Sequence, residues 1–142
     1  MTFTLRRQLT VALENEPGRL ASISRLLANS GVTIDGLCVI DNIEQGVVRI
    51  LPSDADVCHD HLTSRGFYVV ESEILAVNLS NMHGILARVT EALAHGKVNI
   101  DYAYVTAARD AGYSMLAMKV SDLPLAESIL EELAFDGSLP SD

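Results

Sequence analysis

Positive charge is scarce in this chain of 142 residues: ten Lys and Arg stand against nineteen Asp and Glu, a formal net charge of −9. Nucleic acid is held by clustered cations that displace counterions, and an anionic membrane surface draws on the same residues. Neither is expected as a partner. No apolar run nears the ~20 residues of a bilayer span. The opening Met1-Thr2-Phe3-Thr4-Leu5-Arg6-Arg7 puts its charges after the apolar residues, without the long apolar stretch of a secretion signal. The only cysteines, Cys38 and Cys58, make neither a CxxC pair nor a disulfide framework, which fits a reducing, cytoplasmic setting. There is no GxGxxG, no P-loop and no Ser/His/Asp or Cys/His set at a readable spacing. No catalytic residue, cofactor or metal is expected.

What the chain has is apolar content, 49 % of its residues, and repetition. Moved by 66 residues, Leu9–Asp35 lies over Leu75–Asp101 without a gap, and 12 of the 27 positions are identical. Among them are Leu9/Leu75, Asn15/Asn81, Gly18/Gly84, Leu27/Leu93, Val32/Val98 and Asp35/Asp101. The chain is two copies of one unit, expected at 1–71 and 72–142, each small enough to need support from a neighbour.

Each copy reads β-α-β-β-α. Leu9, Val11 and Leu13 alternate, as do Leu75, Val77 and Leu79, giving strands with one buried face. A break follows at Asn15-Glu16-Pro17-Gly18, with Pro17 placed near the first position of a helix. Leu20, Ile23, Leu26 and Leu27 then recur at helical spacing, as do Leu86, Val89 and Leu93. Second strands are expected at about Val32–Ile40 and Val98–Thr106, and third strands at Val47–Leu51 and Tyr113–Val120. Turns near Gly46 and Gly112 join them. Ser53-Asp54 and Ser121-Asp122 cap the second helices. Copy one adds a fourth strand, Phe67–Val70, joined by Glu71-Ser72-Glu73 to the first strand of copy two. In copy two the fourth strand is short or missing, and Thr2–Arg7, in register ahead of Leu9, is the candidate to fill its place. The fold class is α+β: two ferredoxin-like βαββαβ units in tandem, each an antiparallel sheet with its helices on one face.

Leu13-Glu14-Asn15-Glu16-Pro17-Gly18-Arg19-Leu20 between strand and helix, with Val32-Thr33-Ile34-Asp35 downstream, resembles the ACT domain family. The second copy keeps the frame as Leu79-Ser80-Asn81-Met82-His83-Gly84-Ile85-Leu86 and Val98-Asn99-Ile100-Asp101. The likeness covers nearly the whole chain. It implies a regulatory protein that binds a free amino acid, with no chemistry of its own, and that acts allosterically on a partner such as a regulated enzyme. The first helical turn exposes unpaired N–H groups suited to a carboxylate, and Asn15 and Asn81 offer amides to both ends of a zwitterion. In the family the ligand lies at an interface, facing the loop before a neighbour's second strand. Carried over, the binding residues are Asn15, Glu16, Pro17, Gly18, Arg19, Leu20 and Thr33 in copy one. In copy two they are Asn81, Met82, His83, Gly84, Ile85, Leu86 and Asn99. Thr33 departs from the family's amide, and His83 stands where the motif has proline.

In side-by-side family pairs the sheets join through their second strands. That arrangement separates the fourth strand of one domain from the first of the next by roughly 29 Å. Three linking residues reach only roughly 10 Å. Second-strand edges are therefore expected to join between chains, in a homodimer or higher homo-oligomer.

Other readings are weighed beside this one. Asn15 and Asn81 also suit helix caps or Asx-turns, and Gly18 and Gly84 tight turns. Cys58-His59-Asp60-His61 has the composition of a metal cluster but no counterpart in copy two, and reads as a partly solvated helix face. Asp35 and Asp101 begin strands and bond nearby backbone. The alternatives in function are the regulatory small subunit of an amino-acid biosynthetic enzyme, similar to that of acetolactate synthase, and an oligomerisation module without a ligand.

Overall fold

The computed structural model describes residues 2–41, 45–79, 83–106 and 114–135. In chain order the elements are β1 (Phe3–Leu13), α1 (Arg19–Asn29), β2 (Ile34–Ile40), β3 (Gly46–Pro52) and α2 (Ala55–Ser64). They continue as β4 (Val69–Asn78), α3 (Ile85–His95), β5 (Ile100–Val105), β6 (Met115–Val120) and α4 (Leu123–Phe135). The chain divides into two compact units. The first is Arg7–Glu73; the second is Met1–Arg6 together with Ile74–Asp142.

In the first unit the strand order is β2-β3-β1-β4. β1 and β3 are antiparallel, with Leu9 opposite Ile50 and Val11 opposite Val48. Because directly opposed residues share a face, these four line one side of the sheet. Ile23 and Leu27 of α1, one turn apart, and Cys58 and Leu62 of α2 pack onto them. β2 lies at the edge, antiparallel to β3, with an irregularity between Ile34 and Gly36.

The second unit repeats the plan with the order β1-β4-β6-β5. Leu75 faces Met118 and Val77 faces Leu116, and β5 forms the edge beside β6. Val89 and Leu93 of α3, with Ala126 and Leu130 of α4, complete the core. Both units thus have the tandem βαββαβ form that the repeat implies.

Residues 3–6 of β1 fill the fourth-strand position of the second unit, as the register of Thr2–Arg7 suggests. The Asn78 N–H donates to the Thr2 carbonyl at 2.9 Å, and Phe3 packs against the second core. Arg7 itself belongs to the first unit. In that unit the same position is taken by the start of β4, where the Ala12 N–H donates to the Tyr68 carbonyl at 3.3 Å.

Two expectations shift. Phe67–Val70 and the first strand of copy two are not separate strands; β4 runs unbroken from Val69 to Asn78. Between Phe67 and Ile74 there is no Gly, Pro or Asn to interrupt an extended backbone. The second strands begin at Ile34 and Ile100, two residues later than the hydrophobic pattern alone indicates. Val32 and Val98 instead fill the cores from the loops before those strands. The capping expectation holds: Asp54 accepts from the Val57 N–H, and Asp122 from the Leu125 N–H at 3.1 Å. The turn at Gly112 lies outside the described residues.

Candidate functional site: the strand-to-helix corner

Between β1 and α1, Glu16-Pro17-Gly18-Arg19 forms a type II turn. The Arg19 N–H donates to the Glu16 carbonyl at 3.3 Å, and Gly18 has φ 87° and ψ −7°. Such a turn takes proline at its second position and a positive φ at its third, so Pro-Gly is the local solution. A left-handed residue cannot belong to a right-handed helix. Pro17 therefore stands ahead of the cap rather than at the first helical position, and α1 starts at Arg19. Gly84 repeats the conformation at φ 81° and ψ 2°. A Cβ at either glycine would meet nothing within 4 Å; backbone conformation requires glycine here, and the space beside it stays open.

Neither α1 nor α3 has a side-chain cap. Asn15 is exposed, and its amide has no partner among the described residues. The helix-cap reading of Asn15 therefore does not hold. The Gly18 carbonyl accepts from the Ser22 N–H and from Ser22 Oγ, both at 2.9 Å. The Leu20 and Ala21 N–H groups have no acceptor among the described residues. They are the unpaired amides of a first helical turn.

A cavity of about 200 Å³ opens at this corner. Leu13 and Leu20 line it from the β1 and α1 sides, and Val39 and Ile40 from the end of β2. Asn15 and Glu16 lie at its edge, with Glu14, Arg19 and Asp41. Arg19 Nη2 donates to Glu14 Oε2 at 2.8 Å and to Glu16 Oε2 at 3.4 Å. Gly46 lets β2 come this close: a Cβ there would stand 2.8 Å from the Ile40 carbonyl oxygen.

Of the residues read from the sequence, the corner thus gathers Asn15, Glu16, Arg19 and Leu20 around one cavity, with Pro17 and Gly18 setting the turn. Thr33 does not line it. The Thr33 N–H instead donates to Ser53 Oγ at 3.0 Å, and the Ser53 N–H to the Thr33 carbonyl at 2.8 Å. Asn99 and Ser121 make the same reciprocal pair, both bonds at 2.9 Å. The Asn99 amide donates to Asp101 Oδ1 at 3.0 Å. In the second unit Asn81 and Met82 lie outside the described residues. His83 and Gly84 are exposed, Leu86 is half-exposed, and Ile85 is buried in the core.

Sequence reasoning missed Glu14, Val39, Ile40 and Asp41. Glu14 had a local signal, five residues before Arg19. Val39, Ile40 and Asp41 reach the corner only through strand pairing, and carry no local mark.

Cys58 is fully buried, and burial, with a smaller contribution from the Asp54 charge, pushes its thiol up to about 11. It stays protonated at neutral pH and packs as a small apolar group. Among the described residues no three His, Cys, Asp or Glu side chains converge as metal ligands. Arg7 ties β1 to α2 and β4, with Nη2 at 2.8 Å from Asp56 Oδ1 and 2.7 Å from Glu71 Oε1. That guanidinium holds the Asp56 carboxyl below its ordinary range. No helix among the described residues is long and apolar enough to cross a membrane.

A family model described as an ACT domain pair matches residues 2–135. The structure is similar to that of a protein from Bacteroides thetaiotaomicron, with a TM-score of 0.82 and 26 % identity over 92 % of this chain and 89 % of the other. It is similar in fold to the regulatory subunit of aspartate kinase from Thermus thermophilus in its ligand-free form. There the TM-score is 0.64 and the identity 16 % over 92 % of this chain and 93 % of that one. The corresponding subunit from Thermus flavus gives 0.57 and 14 % over 92 % and 94 %. No curated protein matches the chain.

Proposed function

The chain belongs to the ACT domain pair family, and from that premise we propose that it is a regulator that binds a free amino acid and transforms nothing. The observation that carries this reading is the cavity at the β1–α1 corner. There the unaccepted Leu20 and Ala21 N–H groups and Arg19 suit a carboxylate, while the Asn15 amide and the Glu14 and Glu16 carboxylates suit an ammonium. Binding orders the turn and shifts the surface offered to a partner. The output is a coupling free energy between two sites. The likeness in fold and length to regulatory subunits of aspartate kinase supports an enzyme as that partner.

The chain acts as a homodimer or larger homo-oligomer joined through second-strand edges. β2 is an edge strand of its unit, and Leu37, Val39 and Ile40 on it are exposed apolar residues. An edge of this kind is a template for pairing with another chain. A second copy seated there extends the wall of the cavity that Val39 and Ile40 already line.

The test is a thermal-shift panel of the twenty L-amino acids on the full chain. A ligand at a hundred times its Kd stabilises the fold by about 2.7 kcal/mol. At least one amino acid raises the Tm of the wild type and leaves Asn15→Ala and Arg19→Ala unmoved. Silence across the panel overturns the reading and favours an oligomerisation module.

A further inference from the structure

The lining of the corner cavity carries more than the presence of an amino acid; it bears on which one. Four of its lining residues are aliphatic: Leu13, Leu20, Val39 and Ile40. Its charges are one guanidinium and three carboxylates, those of Glu14, Glu16 and Asp41. At about 200 Å³ it is smaller than the ~300–1,000 Å³ of sites for drug-sized molecules.

We infer that the corner selects a small aliphatic amino acid of valine-to-leucine size, reading its charged ends through an exchange of ion pairs at Arg19. The inference rests on the amino-acid reading above. Arg19 is held by Glu14 and Glu16. All three side chains are well exposed, with Arg19 at 44 % and the glutamates above 60 %. Pairs so exposed are worth little and break easily. The ligand carboxylate takes the place of one glutamate on Arg19, and the released glutamate accepts the ligand ammonium. One pair within the protein gives way to two with the ligand, and because all of these groups are exposed the charged ends contribute recognition at small net energy. The aliphatic side chain then covers Val39, an apolar group that otherwise faces water and that shares the sheet face of Val48.

The same lining rejects other classes. A second carboxylate, as in aspartate or glutamate, adds negative charge where three carboxylates already face one guanidinium. A lysine side chain brings an ammonium beside the aliphatic wall, where the exposed Asp41 offers it a pair worth little against the water it gives up.

The experiment is calorimetric titration of the full chain with L-valine, L-leucine, L-aspartate, L-lysine, L-leucinamide and N-acetyl-L-leucine. L-valine or L-leucine binds at least tenfold tighter than L-aspartate and L-lysine. Leucinamide, without the carboxylate, and N-acetyl-leucine, without the ammonium, each lose at least tenfold. Val39→Asp, compared with the wild type at equal oligomeric state by light scattering because Val39 also lies on the β2 edge, loses at least tenfold for leucine. Equal or tighter binding of aspartate or lysine overturns the aliphatic assignment and leaves the amino-acid reading standing. Full affinity for leucinamide or N-acetyl-leucine overturns the ion-pair exchange. Absence of binding by every compound overturns the aliphatic assignment, and the panel of twenty amino acids then decides the reading it rests on.

Discussion

The two corners share a backbone and differ in chemistry. Gly18 and Gly84 hold φ within a few degrees of each other, and each carbonyl accepts the N–H four residues on. One position later the first corner has Arg19, exposed and held by two carboxylates, while the second has Ile85, buried in the core. Pro17 faces His83, and Glu14 and Glu16 face Ser80 and Met82 in the repeat. Duplication copied the turn because the turn is needed to fold. Among the described residues, the cluster of Arg19 with Glu14 and Glu16 stands on the first copy only. The repeat is thus strong ground for architecture and weak ground for two equal sites.

The hardest blow to this pairing of units is deletion of Met1–Arg6. It removes an edge strand and the Phe3 contact from the second unit and leaves the first unit's residues intact. A loss of about 3 kcal/mol is expected. Hydrogen exchange should accelerate at Asn78 and its neighbours in β4 while Val48 and Ile50 stay protected. Uniform exchange in both units breaks the assignment of that strand.

Gly18→Ala and Gly84→Ala sharpen the comparison. Each forces an L side chain into left-handed backbone with open space around it, at a cost of about 1–2 kcal/mol. Chemical denaturation should give equal losses in the two variants. A difference above about 1 kcal/mol means that the corners are not the same conformation.

The smallest effect is electrostatic. Asp56 has its pKa lowered from 3.8, first by the hydrogen bond from Arg7 and then by its charge. A carboxyl lowered on folding adds stability that is present above its unfolded value and lost as pH falls through the folded one. The pair is exposed, so the loss below about pH 4 is slight. Arg7→Gln should flatten that part of the acid titration. The repeat positions of Arg7 and Asp56 are Glu73 and Pro124, so the pair does not recur in the second copy.

Much of this was legible in the residues. Period-two alternation marked the first strand of each copy, the offset of 66 marked the repeat, and Thr2–Arg7, in register ahead of Leu9, pointed to the missing strand. Local turn chemistry was legible in part: Pro17-Gly18 announced a turn, but only the left-handed φ of Gly18 moves the helix start to Arg19. Contacts made through pairing were not legible. Val39, Ile40 and Asp41 are some twenty residues from Arg19 and reach the corner because β2 lies beside β3 and Gly46 permits the approach. The clasps of Thr33 to Ser53 and Asn99 to Ser121 depend on where two loops end, which periodicity does not encode.

β1 and β4 each begin in one unit and finish in the other. No single scission of the polypeptide, by protease or by gene truncation, therefore yields both halves whole. A fragment starting at Ser72 comes away one ribbon short, and the piece left behind carries an orphaned leader. The ancestral doubling is locked in by this crossing: either corner is free to drift toward a new ligand, yet neither lobe can be discarded.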